Sequence, residues 1–269
     1  MMESDHDIQR RRYRLCMIGF GLTAVSILLL AVDSTLNLGL RLSWMRGQPA
    51  PWAWALNSPA YSWLIGAPIT WMALLGTYLL WGRWDDPSWQ RRAGLLVVMN
   101  LVDSVLWAID RGPELGLMAA DAEHLWFRIK LAQALGWAEF ALIAGLAADL
   151  AVHLGVPHAA DSGKTTRSLV AVGALSWMYL FIQGTNWGHP FWPLEPRLRV
   201  TPGLFMFSLA NLFIQTIVAF QVASLSFLAA SRCRHVLAEI DREEHANDPL
   251  KSRSEESGLP LEPAFQEAF

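Results

Sequence analysis

The sequence predicts an all-α polytopic membrane protein, a bundle of six transmembrane helices. Three observations predict it. Six long apolar runs punctuate the 269 residues, 53% of residues are hydrophobic, and only 17% are charged. A soluble domain carries about 25% charged residues. The alternating pattern of a membrane barrel is absent. Helices are then the remaining way to cross a bilayer, because every spanning backbone group needs an internal partner.

A spanning helix takes about 20 mostly apolar residues. That length places spans at 15–33, 62–81, 93–110, 130–152, 168–186 and 203–230. The third is the shortest and most polar. The first is too long for the apolar part of a cleavable signal, and no Ala-x-Ala site follows it. The chain thus divides into an N-terminal segment 1–14, a membrane domain 15–232 and a tail 233–269. The loop at 34–60 holds Pro49, Pro51 and three Trp, and is expected to lie along the membrane surface. Glu, Ser and Pro dominate beyond residue 240, the composition of a disordered tail. No internal repeat is visible.

Lys and Arg set the orientation. With the N-terminus inside, Arg10, Arg11, Arg12, Arg14, Arg83, Arg91, Arg92, Lys164, Arg167, Arg232, Arg234 and Arg242 face the cytoplasm. Arg41, Arg46, Arg111, Arg128, Lys130, Arg197 and Arg199 face outward, a 12-to-7 bias. Both termini are expected to be cytoplasmic, in a cell inner or intracytoplasmic membrane. Trp44, Trp52, Trp54 and Trp63 would mark the outer interface, and Trp81, Trp84 and Trp89 the inner one. The net charge of -3 suggests no nucleic-acid partner. The two cysteines, Cys16 and Cys233, fall near cytoplasmic helix ends, where a stabilising disulfide is not expected.

Carboxylates inside a membrane are costly and often functional. Asp103 and Glu139 both fall near mid-depth, one on the third span and one on the antiparallel fourth. Asn100, Gln133, Asn211 and Gln215 add polar groups. Interhelical hydrogen bonding is the plain reading of the amides. A proton-conducting or metal-binding interior is the functional one. His153 follows Asp149 by four residues, the spacing of a local pair. Gly163-Lys164-Thr165 lacks the first glycine of a phosphate loop.

Two polar clusters fall on the outer face: Asp121-Ala122-Glu123-His124 before the fourth span, and Asn186-Trp187-Gly188-His189-Pro190-Phe191-Trp192 after the fifth. Imidazole with carboxylate and amide oxygen suits copper, iron or zinc. An interfacial histidine bonded to backbone or headgroup is the plain alternative.

The run from Asn186 to Glu195 resembles the C subunit of the copper membrane monooxygenases, the particulate methane and ammonia monooxygenase family. That family carries Asn-x-Trp-Gly-His-x-Phe-Trp-x-x-Glu before a long helix. Here one residue is missing between Asn186 and Trp187, and the register then holds through Glu195. The family's Asp-x-x-x-His is one residue short at Asp121–His124, and its further ligand histidine has no counterpart. Gln133 and Glu139 lie nearest that place.

The resemblance implies a subunit that assembles with A-type and B-type subunits and takes electrons from quinol. Copper would support hydroxylation of a small apolar or ammonia-like substrate. His189 would be the principal copper ligand, with Asn186, His124, Asp121, and Glu139 or Gln133 beside it. Two other readings stand: a proton-linked transporter or channel built on Asp103 and Glu139, and a metal-free structural subunit of a membrane complex.

Overall fold

The computed structural model describes residues 5–45, 47, 53–56, 58–82, 84, 86–111, 122–183 and 202–246. Among them there are helices and no strands. The helices are α1 (Asp5–Met45), α2 (Ala53–Leu56), α3 (Pro59–Tyr61), α4 (Ala67–Leu80), α5 (Pro87–Arg111), α6 (Ala122–His153), α7 (Ala159–Gln183) and α8 (Pro202–Ala246). A single π-helical turn, Ser62–Gly66, leads into α4. Six of these helices are long and apolar enough to cross a membrane. The chain is an integral membrane protein.

The helices run longer than the apolar runs. α1 continues through residue 33 to Met45, although Asp33, Ser34 and Asn37 interrupt its hydropathy. Asp33 and Asn37 do not break it because their side chains find partners. Asn37 Nδ2 donates to the Asp33 carbonyl (3.0 Å) and carboxylate (3.2 Å), and the Tyr61 hydroxyl donates to Asp33 at 2.8 Å. Much of the expected 34–60 loop is therefore helix. At the other end α8 runs to Ala246, so the first part of the expected tail is helical too. Residues 247–269 lie outside the described residues.

At 1.5 Å per residue, α1 and α8 each exceed 60 Å, about twice the hydrocarbon thickness. They pack antiparallel along that whole length. Arg10 pairs with Asp241 and with Glu244 (3.1 Å) at one end, and Arg41 donates to Ser208 Oγ (2.5 Å) at the other. Both helix termini nearest the chain ends therefore lie together. We call this the termini end, and its opposite the far end.

Hairpin turns at the termini end set the antiparallel order. Between α6 and α7, Gly155 takes φ 84°, a left-handed conformation natural to glycine, and Val156 N–H donates to the Ala151 carbonyl at 2.9 Å. Between α4 and α5, Asp86 caps α5 through the N–H groups of Ser88 (2.9 Å) and Trp89 (3.3 Å).

Packing follows small residues, as it must where lipid is as apolar as leucine. α1 and α4 cross at Gly19 and Gly76. A Cβ added at Gly76 would stand 2.5 Å from Thr23 Oγ1 and 2.8 Å from the Gly19 carbonyl oxygen. Trp89, expected at the inner interface, is instead buried (3% exposed), with its indole N–H on the Leu80 carbonyl at 3.1 Å. A tryptophan with its one polar atom satisfied is a core residue. Cys16 and Cys233 are both buried and free. α6 packs against α5, α7 and α8. Of its span 56% is buried, against 22% of the α7 span, so α6 is the interior helix.

Candidate functional site

α6 places the candidate residues on one continuous helix, and that continuity divides them. His124 lies in its first turn, Gln133 nine residues on and Glu139 fifteen residues on. At 1.5 Å per residue His124 and Glu139 are about 22 Å apart along the axis. No side chains of their length close that gap, so the expectation that they share one metal ion is corrected. The ligand set splits into a far-end group and an interior pair.

The interior is described in full. The Gln133 side-chain oxygen accepts the Trp177 indole N–H at 2.7 Å, a bond that ties α6 to α7. The bond gives Gln133 a packing role between the two helices. Asn211 does the same work between α8 and α7, donating to the Gly173 carbonyl at 2.9 Å and to Ser176 Oγ. Asn100 donates to the Leu96 carbonyl of its own helix at 3.1 Å. The amides thus follow their plain reading.

Glu139 differs. Its Oε1 is buried and has no hydrogen-bond partner. Asp103, half-buried on α5, stands close enough for its charge to act on Glu139. The Arg92–Asp149 pair sets the antiparallel register of α5 and α6, and that register brings the two carboxylates expected at matching depth level with each other. Among the described residues no three His, Cys, Asp or Glu come together as a metal site. Two carboxylates without imidazole also suit copper poorly.

The far-end group is placed by the α6–α7 pair. Ala148 stands against Gly163, where an added Cβ would come within 2.5 Å. Trp137 covers Gly173, and Gln133 meets Trp177. Each step along α6 is matched by an equal and opposite step along α7. Continuing the count puts Gln183, the last residue of α7, level with Phe127 on α6. α7 therefore ends level with the second turn of α6, about one turn from His124. Asn186 follows three residues later. Asp121, Asn186 and His189 lie outside the described residues, as does the His124 side chain.

One sequence expectation at the termini end changes. Asp149 pairs with Arg92 of α5 at 2.6 Å, not with His153. His153 sits edge-on to Trp84, ring centres 5.3 Å apart. A space of about 300 Å³ opens there among Gln9, Arg12, Tyr13, Trp84, Asp86 and His153. The Gly163-Lys164-Thr165 run lies within α7, where it cannot form a phosphate loop. Near the far end, burial and the adjacent Asp33 carboxylate push the Tyr61 hydroxyl above its ordinary pKa of 10.0.

The chain matches no protein-family model, and no curated protein or solved structure registers as a relative.

Proposed function

We propose that this chain is the C-type membrane subunit of a copper-dependent monooxygenase complex, hydroxylating a small apolar or ammonia-like substrate. The observation that supports the reading is the level at which α7 ends. Its last residue, Gln183, stands level with Phe127 near the start of α6, the helix that carries His124. In this reading the two ligand clusters, distant in sequence, come together at that end of the bundle.

His189, Asn186, His124 and Asp121 form the ligand set in this reading, with Glu139 and Gln133 removed from it. Imidazole with carboxylate and amide oxygen is a donor set that suits copper. Bound copper would supply the redox chemistry that activates oxygen. The chain's own part would be to present the ligands, with Trp187, Phe191 and Trp192 beside two of them in sequence as apolar rings that keep water out. A-type and B-type subunits complete the complex, with quinol as electron donor. The Lys and Arg bias places both termini in the cytoplasm and the ligand end outside, in a cell inner or intracytoplasmic membrane.

Copper per purified complex, wild type against His189→Ala, tests the reading. Loss of most of the copper in the variant is the expected result, since the remaining oxygens bind copper weakly. Equal copper in both, or none in copper-replete wild type, would leave only the structural-subunit reading.

A further inference from the structure

Glu139 Oε1 is the one buried side-chain oxygen or nitrogen without a hydrogen-bond partner among the described residues. It lies on the interior helix of the bundle, where an unmatched charge costs most. The charged groups on the helices packed against α6 are few. On α5, Arg92 is engaged with Asp149, nearly three turns of α6 toward the termini end. On α7, Asp161, Lys164 and Arg167 lie in the first turns, at the same end. On α8 the charged residues begin at Arg232, again toward the termini end. Asp103 is the charge that acts on Glu139, and it has the same sign.

Two carboxylates level with each other on packed helices inside a membrane repel, and a cation near them relieves that repulsion. A metal ion of the kind carboxylates prefer takes six or more oxygens, and this pair offers four at most. A proton needs only two. It removes the like-charge repulsion and turns a bare acceptor into a donor.

We propose that Glu139 and Asp103 form an intramembrane proton-holding pair, sharing one proton that loads and unloads at Glu139 Oε1. Loading converts a carboxylate and a proton into a neutral carboxyl, and nothing else changes in the bonding. The pair is independent of the copper reading: it uses α5 and α6 alone, and its test needs no metal.

The experiment is infrared spectroscopy of the full-length protein in lipid vesicles at neutral pH. A protonated carboxyl has its own carbonyl stretch, which moves to lower frequency in D2O. The wild type should show that band, and Glu139→Gln should lack it while keeping its helix content and elution volume. In Asp103→Asn the band should be about threefold weaker, because the second carboxylate no longer favours the proton. Should Glu139→Gln fail to fold, a membrane-soluble carbodiimide gives the same reading on wild type alone. The carboxyl O–H adds across a C=N bond of the reagent, and the adduct rearranges to a stable acylurea that peptide mass spectrometry places on Glu139. No band and no adduct in the wild type would overturn the proposal. So would a band of equal strength in Asp103→Asn.

Discussion

The α1–α8 seam and the α5–α6 seam are both antiparallel helix pairs in one bundle, yet they are built to different ends. Along α1 and α8, Phe20, Ala24, Val218, Val222 and Ser226 have no exposed surface. Buried hydroxyls on these two helices are satisfied, Thr23 by the Gly19 carbonyl and Ser226 by the Val222 carbonyl, both at 2.9 Å, and Ser26 by the Ile69 carbonyl of α4 at 2.7 Å. Along α5 and α6, two carboxylates share one level and one buried oxygen goes unsatisfied. The first seam contributes stability. The second holds an arrangement that stability alone would not select, and unsatisfied groups of that kind cluster at functional sites.

The comparison can be broken at its firmest point. Gly76→Val, where α1 and α4 meet, drives a side chain into Thr23 and the Gly19 backbone. It should cost at least about 3 kcal/mol, because a backbone atom cannot rotate away. Gly21→Val is the control, as nothing lies within 4 Å of an added Cβ. Thermal unfolding in detergent should separate the two. Similar melting temperatures would mean that the crossing is looser than the structure has it.

A second pair of variants contrasts the satisfied and unsatisfied interior. Asn211→Leu removes the bonds from α8 to the Gly173 carbonyl and Ser176 Oγ, which keep their own bond to each other, and should destabilise by about 1–2 kcal/mol. Glu139→Gln should be neutral or stabilising by up to about 1 kcal/mol, since the amide offers Asp103 a donor without a charge. Equal destabilisation by both would place Glu139 among the structural groups.

The smallest expected effect concerns pH. The Tyr61 hydroxyl is held above its ordinary 10.0 by burial and by Asp33. Its contribution is present in full below that value. Above it the unfolded chain loses the proton first, so stability falls as pH rises. Wild type should lose more melting temperature than Tyr61→Phe between pH 8 and about 11. Parallel losses would show that the Tyr61–Asp33 bond adds nothing.

Much of this architecture was legible along the chain. Hydropathy placed six spans, and the 25-residue α5 bears out even the short, polar third one. Counting along two antiparallel spans was enough to bring Asp103 and Glu139 to one depth, because residues per ångström are the same in every helix. Helix ends were harder. Hydropathy reports the hydrocarbon layer, while a helix stops only where its backbone finds something better. Asp33 and Asn37 satisfy each other, and α1 runs on.

Which groups touch is a different kind of fact. That Asp149 takes Arg92 rather than His153, that Trp177 occupies Gln133, and that Trp89 is buried all depend on which face of each helix meets its neighbour. No local pattern encodes that rotation. The sequence by itself determined the helices, their antiparallel order and the two acidic side chains at mid-depth, because these follow from apolar length and chain connectivity. Tertiary structure alone decided that the far-end ligand candidates and the interior carboxylates are separate stations, because one unbroken helix holds His124 and Glu139 about 22 Å apart.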